Sequence, residues 1–433
     1  MAGTLTASPA APQKGVTSAA APSRLISLDI FRGMTIAGMI LVNNAGNWNA
    51  VYWPLEHAAW HGWTPTDLIF PFFLFIVGVS MVLSFTTRRE RGSTRGALLR
   101  HAVQRSVIIF LIGLALALMG SSFNLHTVRI YGVLPRIAVV YLAASVIVLY
   151  CGRRARVAIA AALLVGYWLV MTRVPGFDLT MDGNLAGAID RRLMYNHLWV
   201  AHRFDPEGLL STLPAIVTTL IGVFTGEWLK QAAGVRLQAS GNQSRVPSPE
   251  SRAAIYPLEK GSGLVTENPR PFDKLRAGSS QNRAGTGHPL GTVQGMVVAG
   301  ALLMGAGELW GRWFPINKNL WTSSYVLFTG GFALALLALC YWMVEVRGWR
   351  RWGAPFVWYG SNAITLYAGS SALAIASVKL RVGGITLKAL IYGHGLAPLA
   401  RPVMASAMYA SAYVLTFLVL AWIMYRNKIF IKI

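Results

Sequence analysis

The sequence predicts an all-α polytopic integral membrane protein with about ten transmembrane helices. Of its 433 residues, 54% are hydrophobic and only 13% are charged, whereas soluble domains carry about 25% charged residues. Apolar runs long enough to cross a bilayer recur along the chain. The basic residues, which give a net charge of +23, lie in short clusters between these runs and form no dense solvated face. This pattern indicates membrane topology and argues against a nucleic-acid partner.

Residues 1–23 come first and are rich in Ala, Ser, Pro and Thr. They contain no apolar run of the length that a signal peptide requires. Their composition predicts a disordered cytoplasmic tail. The first span is therefore expected to direct the chain to the membrane.

Ten apolar stretches follow the tail, and each is long enough to cross the hydrocarbon core as a helix. A short helix near 386–400 would raise the number to eleven. The predicted spans are 24–43, 65–86, 106–122, 134–151, 157–173, 209–229, 292–311, 322–345, 354–378 and 403–425.

The basic residues predict how these spans are oriented. With the N-terminus in the cytoplasm, the inner segments hold 27 Lys and Arg residues and the outer connections hold 12. The sharpest inner clusters are 88–105, 152–156 and 346–351. An even number of spans places the C-terminus in the cytoplasm as well.

One inner connection, residues 231–291, is rich in Ser, Gly, Pro, Arg and Gln and shows no helical or strand period. It is predicted to be a disordered cytoplasmic insertion. Its eight basic residues suit contact with anionic membrane lipid. The insertion divides the transmembrane core into a first part, 24–230, and a second part, 292–433.

Polar side chains capable of chemistry are concentrated between residues 24 and 85. An ionisable group at the centre of a membrane helix costs roughly 2.5 to 3.5 kcal/mol, so such groups are usually paired and often functional. Asp29 and Arg32 are three residues apart on one helical face. They form either an intrahelical ion pair or part of a ligand site.

His57 and His61 lie four residues apart in the outer loop 44–64. Three interpretations fit this spacing. The first is a zinc site, but such a site needs a third protein ligand and usually a motif such as HExxH, so no metal is expected. Cys151 and Cys340 lie inside apolar runs and offer no CxxC site. In the second interpretation, both imidazoles are hydrogen-bonding groups within an aromatic belt at the membrane interface. The third is catalysis by a neutral imidazole, which can remove a proton or accept an acyl group.

Two neighbouring side chains favour the catalytic interpretation. Asp67 begins the next span, where it can cap the helix or orient an imidazole. Asn43 ends the previous span with an amide that can donate to an oxyanion. Together with His57, these residues suit acyl transfer.

The longest outer loop, residues 174–208, adds further polar candidates. Asp190, His197, Asp205 and Glu207 are expected to contribute to a polar substrate cleft, because carboxylates commonly bind hydroxyl and ammonium groups. The alternative is that each is a solvated loop side chain.

Seven motifs occur in order along the membrane portion: LDIFRGMTIAGMILVNN, EHAAWHGWTPTDLIFPFFLFIVG, RIYGVLPRIAVVY, FDPEGLLSTLPAI, FPINKNLWTSSYV, YGSNAITLY and RNKIFIKI. On these motifs the chain resembles the heparan-alpha-glucosaminide N-acetyltransferase family. Its short N-terminal region looks like that of the bacterial members, which implies a place in the bacterial cytoplasmic membrane.

The resemblance implies an N-acetyltransferase that moves an acetyl group from cytosolic acetyl-CoA to the amine of a glucosamine on the far side of the membrane. It implies that His57 is the catalytic histidine, either acetylated itself or acting as a base. Asn43 matches the asparagine that ends the first span, and Asp67 and Asn362 match further polar positions. Asn43 and Asp67 are expected to take part in catalysis, and Asn362 is expected to bind the substrate. The resemblance also implies a homodimer.

This chain departs from the family pattern at two places. Pro135 stands where a glutamine is usual, and residues 368–374 lack a histidine that animal members carry. Both departures leave the transfer machinery in place and put an identical acceptor in doubt.

Arg88, Arg89, Arg105 and Arg153 are expected to assist binding of the CoA phosphates at the inner surface. The positive-inside rule explains these residues equally well. A sugar or small-molecule transporter without acyl chemistry is the alternative function. The third possible function is a structural membrane scaffold, which gives no role to the cluster of Asn43, His57 and Asp67.

Overall fold

The computed structural model describes residues 25–199, 203–243 and 289–431. The predicted tail and residues 244–288 of the predicted insertion lie outside the described residues. Twelve α-helices make up most of the described chain: α1 (Ile26–Val42), α2 (Ile69–Glu90), α3 (Arg95–Gly120), α4 (Val133–Tyr150), α5 (Arg153–Arg173), α6 (Leu185–Met194), α7 (Thr212–Gln243), α8 (Pro289–Gly311), α9 (Ser323–Tyr341), α10 (Ala354–Ser361), α11 (Ala363–Lys379) and α12 (Pro402–Arg426).

The prediction of an all-α polytopic membrane protein is confirmed. Within the described ranges, eight helices are long and apolar enough to cross a membrane, namely α2 to α5, α7 to α9 and α12. Helices α1 and α11 have 17 residues each and coincide with the first predicted span and most of the ninth. Helix α6 lies in the connection between α5 and α7.

The predicted ninth span is divided into α10 and α11 at Asn362. This residue leaves the helical conformation, with φ −130° and ψ 40°. Its side-chain amide donates to the carbonyl of Ile429 at 2.9 Å, and its carbonyl oxygen accepts from the N–H of Ile431 at 2.8 Å. A contact with residues far along the chain therefore accompanies the break.

The region of the predicted eleventh helix begins with a short hairpin. Strands β1 (Arg381–Val382) and β2 (Ile385–Thr386) pair antiparallel. Gly383 and Gly384 form the turn with φ of +59° and +82°, a left-handed backbone that glycine adopts readily. A π-helical segment, Ala389–Leu396, follows. It is too short to span a bilayer.

Helices α2 and α7 lie at the centre of the bundle. The most apolar part of each is 72% buried, against 17% for α3 and 22% for α5 and α8. A Cβ on Gly78 would lie 2.0 Å from the carbonyl oxygen of Thr219, and one on Gly222 would lie 2.0 Å from that of Phe75. The two backbones approach this closely because neither glycine has a side chain, as is common between membrane helices.

The helices bring the connections of the chain together at two opposite ends. At the first, which we call the site end, the N–H of Gly62 donates to Ile316 at 2.8 Å, and that of Ile130 donates to His197 at 3.4 Å. The site end contains the connections 43–68, 121–132, 312–322 and 380–401, and the described parts of a further connection, 174–199 and 203–211.

At the opposite end, which we call the basic end, Arg156 pairs with Glu227. The basic end contains the connections 91–94, 151–152 and 347–353 and residues 427–431. The connections at the site end are those predicted to be outer segments, and the connections at the basic end are those predicted to be inner segments. Which end faces the cytoplasm stays a prediction.

Pro135 lies in the first turn of α4, where backbone N–H groups have no hydrogen-bond partner within the helix. A Cβ on Gly113 would lie 2.5 Å from the Cδ of Pro135, so the ring packs closely against α3. The proline therefore fits the fold at this position.

Candidate active site

Asp67 organises the connection between α1 and α2. It lies in a 3₁₀ turn, Pro65–Leu68, that directly precedes α2. Its Oδ2 atom accepts hydrogen bonds from the N–H groups of Ala58 (3.1 Å) and Thr64 (3.0 Å). The bond from Thr64 caps the start of the 3₁₀ turn, and the bond from Ala58 fixes the preceding loop to the same carboxylate. It is 1% exposed and fixed in place.

The other carboxylate oxygen of Asp67 binds His57. The distance from His57 Nδ1 to Asp67 Oδ1 is 2.6 Å. An ionised carboxylate only accepts hydrogen bonds, so in the neutral form of the ring Nδ1 carries the hydrogen and Nε2 has the lone pair. The side chain of His57 is 42% exposed while that of Asp67 is buried. The pair therefore presents an oriented, accessible imidazole that can act as a base or a nucleophile.

Lys318 completes this cluster from the connection between α8 and α9. Its Nζ atom lies 3.2 Å from Nδ1 and 3.3 Å from Nε2 of His57, and 3.9 Å from Oδ1 of Asp67. Burial lowers the pKa of Lys318, although Glu207 and Asp67 act in the opposite direction. The sequence analysis did not single out this residue.

The segment that carries Lys318 is held against the loop 44–64, which contains His57 and His61 and which we call the histidine loop. Gly62 and Asn317 form a parallel bridge beside it. The side-chain amide of Asn317 lies 3.3 Å from Nδ1 of His61, and its oxygen accepts from the N–H of Leu320 at 2.9 Å. Burial lowers the pKa of His61 below its usual value. His61 therefore helps to hold Lys318 against His57.

A group of paired charges lies close to this cluster. Arg129 donates to Asp205 through two nitrogens, at 2.8 and 2.6 Å, and also to Glu207. Burial disfavours the charge on Arg129, but Glu207 and Asp205 together raise its pKa above the usual value. Burial also opposes the charge on Glu207, and Arg129 nevertheless lowers its pKa. Both carboxylates thus bind Arg129, and Asp205 also accepts from the N–H groups of Trp199 and Glu207, each at 2.9 Å.

Arg136 is the most deeply buried cation of the site end, with 2% exposure. It donates to the carbonyl of Gly208 and the hydroxyl of Ser211, and its guanidinium lies 5.0 Å from the ring centre of Trp321. Its Nε and Nη1 atoms are buried and have no hydrogen-bond partner among the described residues. Buried donors of this kind normally bind water or a ligand.

Asp190 and His197 tie the long connection to its neighbours. Asp190 accepts from the N–H of Leu209 at 3.0 Å. Burial, with a further contribution from Asp205, raises the pKa of Asp190 to about 6. Nδ1 of His197 lies 2.7 Å from the carbonyl oxygen of Val128, to which it donates. Both side chains are engaged within the protein.

The structure does not bring Asn43 into the His57 cluster. Asn43 caps the C-terminus of α1 and is exposed, and no hydrogen bond joins its side chain to His57 in the part of the chain that the structure describes. The adjacent Asn44 is buried and donates to the carbonyl of Ile40 at 2.7 Å.

Asn362 likewise lies away from the cluster. Its bonds to Ile429 and Ile431 place it beside the C-terminal residues of the basic end. Asp29 and Arg32 also lie in this part of the bundle and form the predicted ion pair at 2.9 Å. Arg32 donates in addition to the carbonyl of Gly360.

The four arginines predicted to bind CoA are also in the basic half of the bundle. Arg88 and Arg89 are exposed at the end of α2, and Arg153 is exposed at the start of α5. Arg105 lies on α3 with its guanidinium 5.1 Å from the ring centre of Tyr141 and with a buried Nε that has no partner in the described chain. Helix α2, which separates Arg88 from the histidine loop, is about 33 Å long at 1.5 Å per residue.

Sequence reasoning missed three basic residues of the site end, Arg129, Arg136 and Lys318. The signal was present, because Arg129 and Lys318 are in predicted outer connections, where basic residues are scarce, and Arg136 is near the outer end of the predicted span 134–151. A cation in such a place needs a carboxylate partner. No group of three His, Cys, Asp or Glu side chains that could hold a metal is found within residues 25–199, 203–243 and 289–431.

The fold and this cluster define a class of protein: a polytopic membrane protein with a carboxylate-oriented histidine and a buried lysine at one end of its helix bundle. The family model described as "Heparan-alpha-glucosaminide N-acetyltransferase, catalytic" matches residues 24–251. The chain therefore belongs to the heparan-alpha-glucosaminide N-acetyltransferase family.

Two curated relatives agree with this membership. The chain is 28% identical over 410 residues to the heparan-alpha-glucosaminide N-acetyltransferase of Mus musculus, covering 82% of this chain and 55% of the relative. It is 27% identical over 403 residues to that of Homo sapiens, covering 81% and 53%. The chain thus spans about half the length of the curated relatives it matches.

Proposed function

We propose that this protein is a transmembrane acetyltransferase that transfers an acetyl group from cytosolic acetyl-CoA to the amine of a glucosamine-type sugar at the outer side of the membrane. Membership of the family supports the reaction class. The single observation that carries the proposal is the 2.6 Å contact between His57 Nδ1 and Asp67 Oδ1. It leaves an accessible Nε2 with a lone pair, as acyl transfer to an amine requires.

His57 performs the central step at Nε2. It either removes a proton from the acceptor amine as that amine attacks the thioester, or takes the acetyl group and passes it on. In both routes the ring gains positive charge, which the buried carboxylate of Asp67 stabilises. Asn43 is proposed to donate to the thioester oxygen from the end of α1, where its amide is exposed.

The acceptor is proposed to enter at the site end. Asp205 and Glu207 hold Arg129 there, and Asp190 and His197 fix the long connection. We propose that these four side chains shape the acceptor cleft. Asn362, which holds residues near the C-terminus, is proposed to act on the acceptor only through the fold.

The donor is proposed to enter at the basic end. The phosphates of CoA carry negative charge and are expected to contact Arg88, Arg89 and Arg153, with Arg105 deeper on α3. The thioester then reaches His57 through the bundle. This arrangement requires that the basic end face the cytoplasm. We also propose, on the family resemblance, that the protein resides in a bacterial cytoplasmic membrane, surrounded by lipid, and assembles as a homodimer.

The test is release of CoA from acetyl-CoA by the purified protein in detergent, with and without glucosamine. Wild type is compared with His57→Ala. The matched control is His126→Ala, because His126 is an exposed histidine of the same end outside the cluster. Glucosamine-dependent release that is lost in His57→Ala and kept in His126→Ala is the expected result. A folded protein that binds the sugar without releasing CoA would instead be a carrier, and the proposal would be wrong.

A further inference from the structure

Lys318 presents a primary amine directly beside the reactive ring. Its Nζ atom is within 3.3 Å of both ring nitrogens of His57. A carbonyl carbon attacked near His57 Nε2 must itself come within about 3 to 3.5 Å of the attacking atom. Lys318 is therefore able to reach the same carbon as the acceptor amine.

The position of Lys318 is fixed by its neighbours along the chain. The N–H of Gly62 donates to Ile316 at 2.8 Å on one side, and Asn317 lies 3.3 Å from the ring of His61. On the other side, Leu320 donates to the Asn317 side chain at 2.9 Å. A group held in this way reacts as if it were present at a very high concentration, because the cost of bringing it into place has already been met.

The charges around Lys318 decide whether its amine is free to attack. Asp67, at 3.9 Å, and Glu207 favour the ammonium form. Burial acts against that form and is the largest influence, and Arg129 and Arg136 add to it. The side chain is 16% exposed. Lys318 thus holds a larger neutral fraction at a given pH than an exposed lysine does.

We propose that Lys318 is a site of self-acetylation, at which the protein places an acetyl group when acetyl-CoA is bound and no amino sugar is present. The inference rests on the proposed function, because it requires an acetyl group to reach His57. Nζ attacks the acetyl carbon, an N–C amide bond forms and the C–S bond of the thioester breaks. His57 takes the proton released from Nζ, and CoA leaves as a thiolate that is protonated in turn. Where His57 is acetylated first, the bond that breaks in the second step is the acetyl–imidazole bond.

Acetylation at Lys318 changes the site in two ways. The amide carries no charge, so Asp67 loses the cation at 3.9 Å. The acetyl group also occupies space next to the accessible ring of His57. Both changes oppose a further transfer, so the modified protein is inactive, and an amino-sugar acceptor protects Lys318 by competing for the acetyl group.

The test incubates the full chain in detergent with acetyl-CoA alone and measures the acetylated fraction of each lysine by peptide mass spectrometry. Lys379 is the matched control, because it is an exposed lysine at the end of α11. The expected acetylation of Lys318 exceeds that of Lys379 at least about tenfold. It falls when glucosamine is added, and it falls to the level of Lys379 in His57→Ala.

Two results would overturn the inference: acetylation of Lys318 no greater than that of Lys379, or equal acetylation in wild type and His57→Ala. The outcome separates this inference from the proposed function. If CoA release depends on glucosamine and His57 while Lys318 stays unmodified, self-acetylation is wrong and the proposed function stands. If folded protein gives neither CoA release nor modified Lys318, both are wrong.

Discussion

The two oxygens of the Asp67 carboxylate have different roles. Oδ2 holds the turn before α2 by accepting from Ala58 and Thr64, and Oδ1 orients His57. A neutral amide offers only one accepting oxygen, so it cannot do both. The site therefore depends on the charge and on both oxygens of this residue.

Asp67→Asn is predicted to lower turnover on the order of 100-fold or more, because the imidazole loses its acceptor and its counter-charge. CoA release in the presence of glucosamine measures the effect. The control is Asp182→Asn, which removes the charge of an exposed carboxylate that pairs with Arg203 at 2.6 Å on the surface. Exposed ion pairs of this kind contribute little to the stability of the folded protein. Turnover within a few-fold of wild type for Asp67→Asn would refute the assignment.

Asp190 gives a prediction about stability and pH. Its pKa in the folded protein is about 6, whereas an unfolded chain gives about 3.9. The folded state therefore holds the proton more tightly, and the protein loses stability as the pH rises from about 4 to about 6, by roughly 3 kcal/mol in total. In Asp190→Asn, the amide oxygen can still accept from Leu209 and no buried charge forms.

We therefore expect Asp190→Asn to melt at a higher temperature than wild type at pH 8 and at nearly the same temperature at pH 4. Thermal unfolding in detergent across this pH range is the measurement. A variant that is less stable than wild type at pH 8 would contradict the raised pKa of Asp190.

Sequence reasoning identified His57 and Asp67 because they are ten residues apart and flank one loop. It missed Lys318, which is 261 residues from His57 along the chain. Asn43, which is exposed just beyond the end of α1, forms no hydrogen bond with His57 among the described residues, and its role at the thioester stays a prediction. Local pattern thus predicted the groups within one connection, and the folding of separate connections determined the rest.

At the scale of elements, α2 packs closely against α7 and begins directly after the turn that contains Asp67. Gly222→Ala is predicted to destabilise the protein by about 1 to 3 kcal/mol, because the new Cβ would lie 2.0 Å from a backbone oxygen of α2. The matched control is Gly166→Ala on α5, where no atom lies within 4 Å of the added Cβ. It is expected to be neutral or slightly stabilising. Equal melting temperatures for the two variants would contradict this account of the packing.

The positions of the helices were predictable, since uninterrupted apolar runs leave few alternatives in a membrane. The break in the ninth span at Asn362 was not predictable from the local sequence, because it coincides with bonds to Ile429 and Ile431 near the C-terminus. The hairpin at Gly383 and Gly384 carries a local signal of two glycines between strand-forming residues. A search for membrane spans alone does not detect this hairpin.

At the scale of the whole molecule, the two ends of the bundle differ in chemistry. The site end combines the cluster of His57, Asp67 and Lys318 with the buried pairs of Arg129. The basic end combines exposed arginines with the C-terminal residues. Composition predicted this polarity through the count of basic residues on each side. The pairing of charges within the site end depended on the full fold.

This polarity leads to the most direct test of the central claim, that acetyl transfer at His57 takes place across a membrane. Sealed vesicles containing the protein are loaded with glucosamine, and acetyl-CoA, which does not cross the bilayer, is added outside. The account predicts N-acetylglucosamine inside the vesicles with wild type and none with His57→Ala. Product that forms only when donor and acceptor are on the same side, or equally in His57→Ala, would contradict it.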